Sequence, residues 1–121
     1  MNAPNPRTAV LYIAACFALV LTACGGDSRD ALIAKSGESL SRGDAAAAVV
    51  HLKGALKKQD DGQTRFLLGK ALLATGESLA AQNHLRQAMS LGHPAAEVQP
   101  ELARALSAQG EFRKLVQELG N

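Results

Sequence analysis

Few side chains in this 121-residue chain could do chemistry. The candidates are Cys16 and Cys24, the histidines His51, His84 and His93, and the carboxylates of Asp60-Asp61-Gly62. Metal binding or acid–base catalysis needs such groups to converge on one point. His51 and His84 are predicted at one equivalent position of a repeat, on the solvated outer face of two helices. His93 is predicted to be a solvated linker residue. Asp60-Asp61-Gly62 lacks the further oxygen ligands of a calcium loop and reads as a polar turn. Gly25-Gly26 is too short for a phosphate loop and reads as a flexible tether. The chain is therefore expected to have no catalytic site, no metal and no cofactor. Thirteen Lys and Arg against eleven Asp and Glu leave no basic field for nucleic acid. With no Trp, one Tyr and three Phe, a stacking surface for sugars or bases is not expected either.

The cysteine chemistry that remains is acylation. Ala9 to Leu21 form an apolar run behind Arg7 and the amino terminus. The run is shorter than the roughly 20 residues that cross a bilayer, and small residues follow it. Leu21-Thr22-Ala23-Cys24 resembles the lipobox of bacterial lipoproteins: an aliphatic residue three before the cysteine, a small residue directly before it, then Cys. The resemblance implies cleavage after Ala23 and lipidation of Cys24, with residues 1–23 as signal peptide and 24–28 as lipidated tether. Two or three acyl chains anchor stably, because each buried CH₂ contributes about 0.8 kcal/mol. Gly25 stands where an aspartate would favour the inner membrane, so the outer membrane is expected, facing the periplasm. Cys16 leaves with the signal, and the mature chain keeps no free thiol. An ordinary secretory signal or an uncleaved anchor is the alternative.

The elements that must carry any binding surface are predicted from a repeat. Gly43, Gly76 and Gly110 recur at spacings of 33 and 34. Around them Ser41-Arg42-Gly43-Asp44, Ala74-Thr75-Gly76-Glu77 and Ala108-Gln109-Gly110-Glu111 share one pattern. A helix ends, a glycine turns the chain, and an acid opens the next helix. Ala48, Leu52 and Ala55 match Ala81, Leu85 and Ala88 at the same interval that separates Gly43 from Gly76. Helices are predicted over 29–42, 45–58, 64–75, 78–91, 98–109 and 112–119, the first being the least amphipathic. Pro94 falls in the linker, and Pro100 is placed in the first turn of the fifth helix, where its missing N–H is no loss. No alternating β-branched run supports a strand.

A period near 34 with two helices per unit resembles the tetratricopeptide repeat (TPR). The second unit carries the likeness best, in Leu68-Gly69, Leu72, Ala81, Leu85 and Ala88. Gly69 and Ala81 are expected to be small because the paired helices touch there, while Leu85 and Ala88 pack towards the next unit. Arg65 stands where that family usually has Trp, and Leu72 where it often has Tyr. Ser36 and Ala103 replace Gly69 in the outer units, and Leu115 stands at the Ala81 position of the third. The fold expected is all-α, an antiparallel helix-pair solenoid of about two and a half repeats over 29–121. The third unit falls short of full length, so this domain is expected to be truncated or, alternatively, a small domain stabilised by a partner.

The whole chain further resembles the start of the TPR lipoproteins of the PEP-CTERM/exosortase system. Ala23-Cys24-Gly25, His51-Leu52-Lys53-Gly54-Ala55-Leu56-Lys57, Arg65 to Leu73, Leu85-Arg86-Gln87-Ala88, Leu91-Gly92-His93-Pro94 and Val98 to Leu106 carry the resemblance. It implies a membrane-anchored scaffold for envelope proteins, in exopolysaccharide export or PEP-CTERM sorting. A pilotin- or assembly-factor-like outer-membrane lipoprotein is the alternative. Partners would be proteins or peptides of the envelope and the membrane itself, with no small-molecule substrate. In such repeats the first helices line a peptide groove. Lys70 and Arg104 occupy equivalent positions there, at the same interval as Gly76 and Gly110. They would meet a carboxylate or an acidic segment, or else are two ordinary surface cations. Phe66 and Leu73 are expected in the core between repeats.

Overall fold

The structure, a computed structural model, describes residues 26–120, apart from the side chains of Phe112 and Leu115. The expected signal peptide and Cys24 lie outside the described residues. Among the described residues six helices follow one another: α1 Arg29–Ser41, α2 Ala45–Lys58, α3 Gly62–Ala74, α4 Ser78–Ser90, α5 Ala95–Ala108 and α6 Phe112–Leu119. Among the described residues there is no strand, and no helix is long and apolar enough to cross a membrane.

Local chemistry places the breaks. Gly43, Gly76 and Gly110 have φ of 77°, 84° and 71°, the left-handed conformation that glycine adopts without strain. Each closes the preceding helix in the same way. The glycine N–H donates to the carbonyl three residues back, and the next N–H to the carbonyl five back, as in Glu77 to Leu72 at 2.9 Å. Gly92 does the same at φ 87°, with His93 N–H donating to Ala88 O at 3.0 Å. The acids beyond these turns are not equivalent. Asp44 accepts from Ala47 N–H at 2.9 Å and caps α2. Glu77 and Glu111, one methylene longer, make no side-chain cap bond. Glu77 instead accepts from the Thr75 hydroxyl, and Glu111 pairs with Lys114.

Each helix packs on its neighbours in sequence, and α3 also touches α5. Two apolar clusters result. Ala48, Val49 and Leu52 of α2 meet Leu68, Ala71 and Leu72 of α3 and Ala81 of α4. Phe66, Leu85 and Ala88 meet Val98, Leu102, Ala105 and Leu106 of α5. Leu73 packs against both clusters. The repeat is structural as well as sequential, since Ala48, Leu52, Ala55, Ala81, Leu85 and Ala88 are each fully buried. Because α3 serves both clusters, its burial is less one-sided than that of α1, whose only buried residues are Ser36 and Ser39. Gly69 sits hard against α4, where a Cβ would lie 2.7 Å from Leu85 Cγ and 3.4 Å from Ala81 O.

Two helix starts differ from expectation. α3 begins at Gly62 rather than 64, because a buried glycine lets the chain pass 3.0 Å from Ala88 O and 3.2 Å from His93 N, measured to an ideal Cβ. α5 begins at Ala95 rather than 98, which puts Pro100 inside the helix and beyond its first turn. Pro94 is the N-cap, and its carbonyl accepts from Glu97 N–H at 3.0 Å. Fully buried Val98 needs that early start to reach the core. Pro100 leaves the Ala96 carbonyl without its helical donor. Both residues are exposed, so water can take its place.

Candidate functional site

The two cations predicted to line a groove stand on α3 and α5, which pack together. Both are exposed. Lys70 Nζ lies over the Phe66 ring, 5.4 Å from its centroid. Arg104 donates to Glu101 Oε2 at 2.8 Å, one turn earlier on the same helix. Neither side chain is directed to the other by a shared partner, and Glu101 already answers part of the Arg104 charge. Arg104 keeps further N–H donors beyond that bond, so an acidic ligand at this face would share the guanidinium with Glu101.

A second constellation was not anticipated and gathers around the Asp60-Asp61 turn. Arg65, on the first turns of α3, grips Asp60 with two parallel bonds of 2.6 and 2.5 Å. Its remaining nitrogen lies 3.1 Å from His84 Nδ1 and bonds the Gln87 side chain on α4. Arg29, opening α1, donates to Asp61 Oδ2 at 2.6 Å. Asp61 also caps α3 through Thr64 N–H at 2.9 Å, and the fully buried Thr64 hydroxyl donates to it at 3.1 Å. One turn thereby ties together α1, α3 and α4.

The charges are settled within the cluster. The bond from Arg29 holds the Asp61 carboxyl below its ordinary range against the opposing effect of burial, with help from Thr64. Asp60 is lowered by Arg65 in the same way. Burial pushes His84 down, and the charges of Arg65 and Lys53 push it further, opposed by Asp60. Since a guanidinium only donates, His84 Nδ1 must accept. The imidazole is then neutral with its proton on Nε2. The histidine therefore faces an arginine across this contact. Among the described residues no three His, Cys, Asp or Glu are grouped to hold a metal ion.

Two histidines therefore differ from expectation. His84 is half-buried beneath Arg65 rather than solvated. His93 does lie in the linker, but its side chain is only 11% exposed and pairs with Glu97 at 3.1 Å. Its ring stacks on Phe66 with centroids 4.3 Å apart. Phe66 is covered on one side by this imidazole and approached by the Lys70 ammonium. It is a core residue with no free aromatic face for a ligand.

Open space lies elsewhere. A shallow cleft of about 580 Å³ runs between the α3–α4 turn and the end of α5, lined by Ser78, Leu79, Asn83 and Gln109. A smaller groove of about 240 Å³ separates α4, α5 and α6, with Met89, Leu102 and Leu119 on its walls and the Arg86–Glu118 pair at its edge. Neither contains Lys70 or Arg104. No family model matches the chain, and neither the curated proteins nor the solved structures contain a match to it.

Proposed function

We propose that this chain is a non-enzymatic, lipid-anchored TPR scaffold on the periplasmic side of the envelope, held in the outer membrane through Cys24. It would recruit envelope proteins for exopolysaccharide export or PEP-CTERM protein sorting. The observation that carries the reading is the lipobox Leu21-Thr22-Ala23-Cys24 placed just before helix pairs that repeat at the interval of Gly43, Gly76 and Gly110. Support for a TPR solenoid comes from the matching turns at those three glycines and from the tight Gly69–Leu85 contact. Lys70 and Arg104, exposed on consecutive first helices, are the side chains that would meet an acidic partner segment.

Metabolic labelling with a palmitate analogue, followed by membrane fractionation, tests the anchor. The parent chain should be labelled and sediment with outer membrane, and Cys24→Ser should lose the label. Deleting the gene in the source bacterium tests the role. Altered matrix or missorted PEP-CTERM proteins are expected, and an unchanged matrix with normal sorting would overturn it. An outer-membrane β-barrel or secretin lost from the envelope would point instead to the assembly-factor reading.

A further inference from the structure

The chain approaches its first helix under constraint. Gly26 runs past the end of α2, where Lys58 Nζ would lie 3.7 Å from a Cβ at that position. Asp27 Oδ2 lies 2.5 Å from Lys35 Nζ on α1. Its carboxyl is held below the ordinary range by that bond and charge, and further by the charges of His51 and Lys58 on α2. Gly26, two residues after Cys24 in the sequence, thus brings the start of the described chain to the end of α2.

The exposed side of α2 is unusual in composition. It carries Lys53, Lys57 and Lys58 together with Val50, which is 68% exposed. No acid occurs between Asp44 and Asp60. The aspartates that follow the helix are already engaged, Asp60 by Arg65 and Asp61 by Arg29. Among the described residues no carboxylate pairs with these three lysines. The helix dipole accounts for cations in the last turn, at Lys57 and Lys58. It does not account for Lys53, a turn earlier, or for an exposed valine among them.

We propose that this face of α2, Val50 with Lys53, Lys57 and Lys58, rests against the anionic head groups of the bilayer that holds Cys24. The proposal builds on the lipid-anchor reading above. Lysine stems lie along the interface with their ammonium groups among lipid phosphates, and the valine faces the boundary of the acyl region. Such contacts orient the helical domain on the membrane, where a flexible tether alone would let it turn freely.

The test uses the full chain, purified in its acylated form and reconstituted into phosphatidylcholine vesicles with or without phosphatidylglycerol. Lysines are labelled with a dilute amine-reactive reagent and quantified by mass spectrometry. A surface potential of about −30 mV concentrates protons about threefold, so amines held at the surface should react about threefold more slowly. Lys53, Lys57 and Lys58 should show that slowing on the anionic vesicles, and high salt should remove it. Lys114, on α6, should react alike on both. Equal rates at the three α2 lysines on both vesicle types, with acylated Cys24, would overturn this proposal alone. A Cys24 peptide without acyl mass would overturn the anchor and, with it, the geometry on which this proposal stands.

Discussion

Replacing Gly69 by alanine should destabilise the fold, although alanine is the better helix former. The new methyl would lie 2.7 Å from Leu85 Cγ and 2.8 Å from Leu85 Cδ2, about 1 Å inside the usual carbon–carbon separation of 3.5–4.0 Å. Leu85 is fully buried, and its Cγ is a branch point rather than a free end. It can retreat only into the cluster formed with Val98 and Leu102. Overpacking of this kind costs about 1–3 kcal/mol, and the helix propensity gained offsets about 1 kcal/mol of it. A net loss of about 1 kcal/mol follows. Gly37 of α1 supplies the control, since nothing lies within 4 Å of a Cβ there. Gly37→Ala should keep the full gain of about 1 kcal/mol. The same substitution at two helical glycines should thus move stability in opposite directions, by about 4–8 °C per kcal/mol in melting temperature. Urea titration followed by far-ultraviolet circular dichroism measures both variants. If Gly69→Ala stabilises as much as Gly37→Ala, the close contact between α3 and α4 is refuted. Leu85→Ala alone should cost about 2–5 kcal/mol. It should cost less in the Gly69→Ala background, where the added methyl occupies part of the space, a coupling that a double-mutant cycle reads directly.

Two further outcomes are expected. The folded state lowers the affinity of His84 for a proton, through burial first and then Arg65 and Lys53. Its contribution to stability is therefore complete above the ordinary value of 6.5 and is lost as pH falls through and below it. Urea midpoints should drop across this range, and His84→Gln should flatten the drop; an identical slope in the variant would refute the burial of His84 beside Arg65. Asp61→Ala removes the α3 cap and the partner of Arg29, for an expected loss of about 1–2 kcal/mol in chemical denaturation. Asp61→Asn, which can still cap, should lose about half as much, and equal stability of the alanine variant would show the cap to be idle.

Much of the helical framework was legible because its signals are local. Glycine at 43, 76 and 110 followed from the need for a left-handed residue at a helix end. The buried set Ala48, Leu52, Ala55, Ala81, Leu85 and Ala88 followed from the same period. The helix ends that were missed have a common cause. Gly62 starts α3 early because the α4–α5 linker presses against it, and Val98 draws α5 forward so that Pro100 falls inside the helix. Gly92 belongs to the same class of turn as the other three glycines but lies off their period, so the repeat did not mark it. Lys70 and Arg104 were placed by equivalence alone. What each one touches, an aromatic ring in one case and Glu101 in the other, depends on its own neighbours.

The sequence alone therefore determined where the chain turns at Gly43, Gly76 and Gly110, and which positions of the repeat must be small. These properties depend on residue type and near neighbours along the chain. Only the tertiary structure decided that Arg65 joins Asp60 to His84, that His93 covers Phe66, and that Asp27 meets Lys35 beside α2. These contacts link different segments of the chain, and their partners come within bonding distance only when successive helices pack.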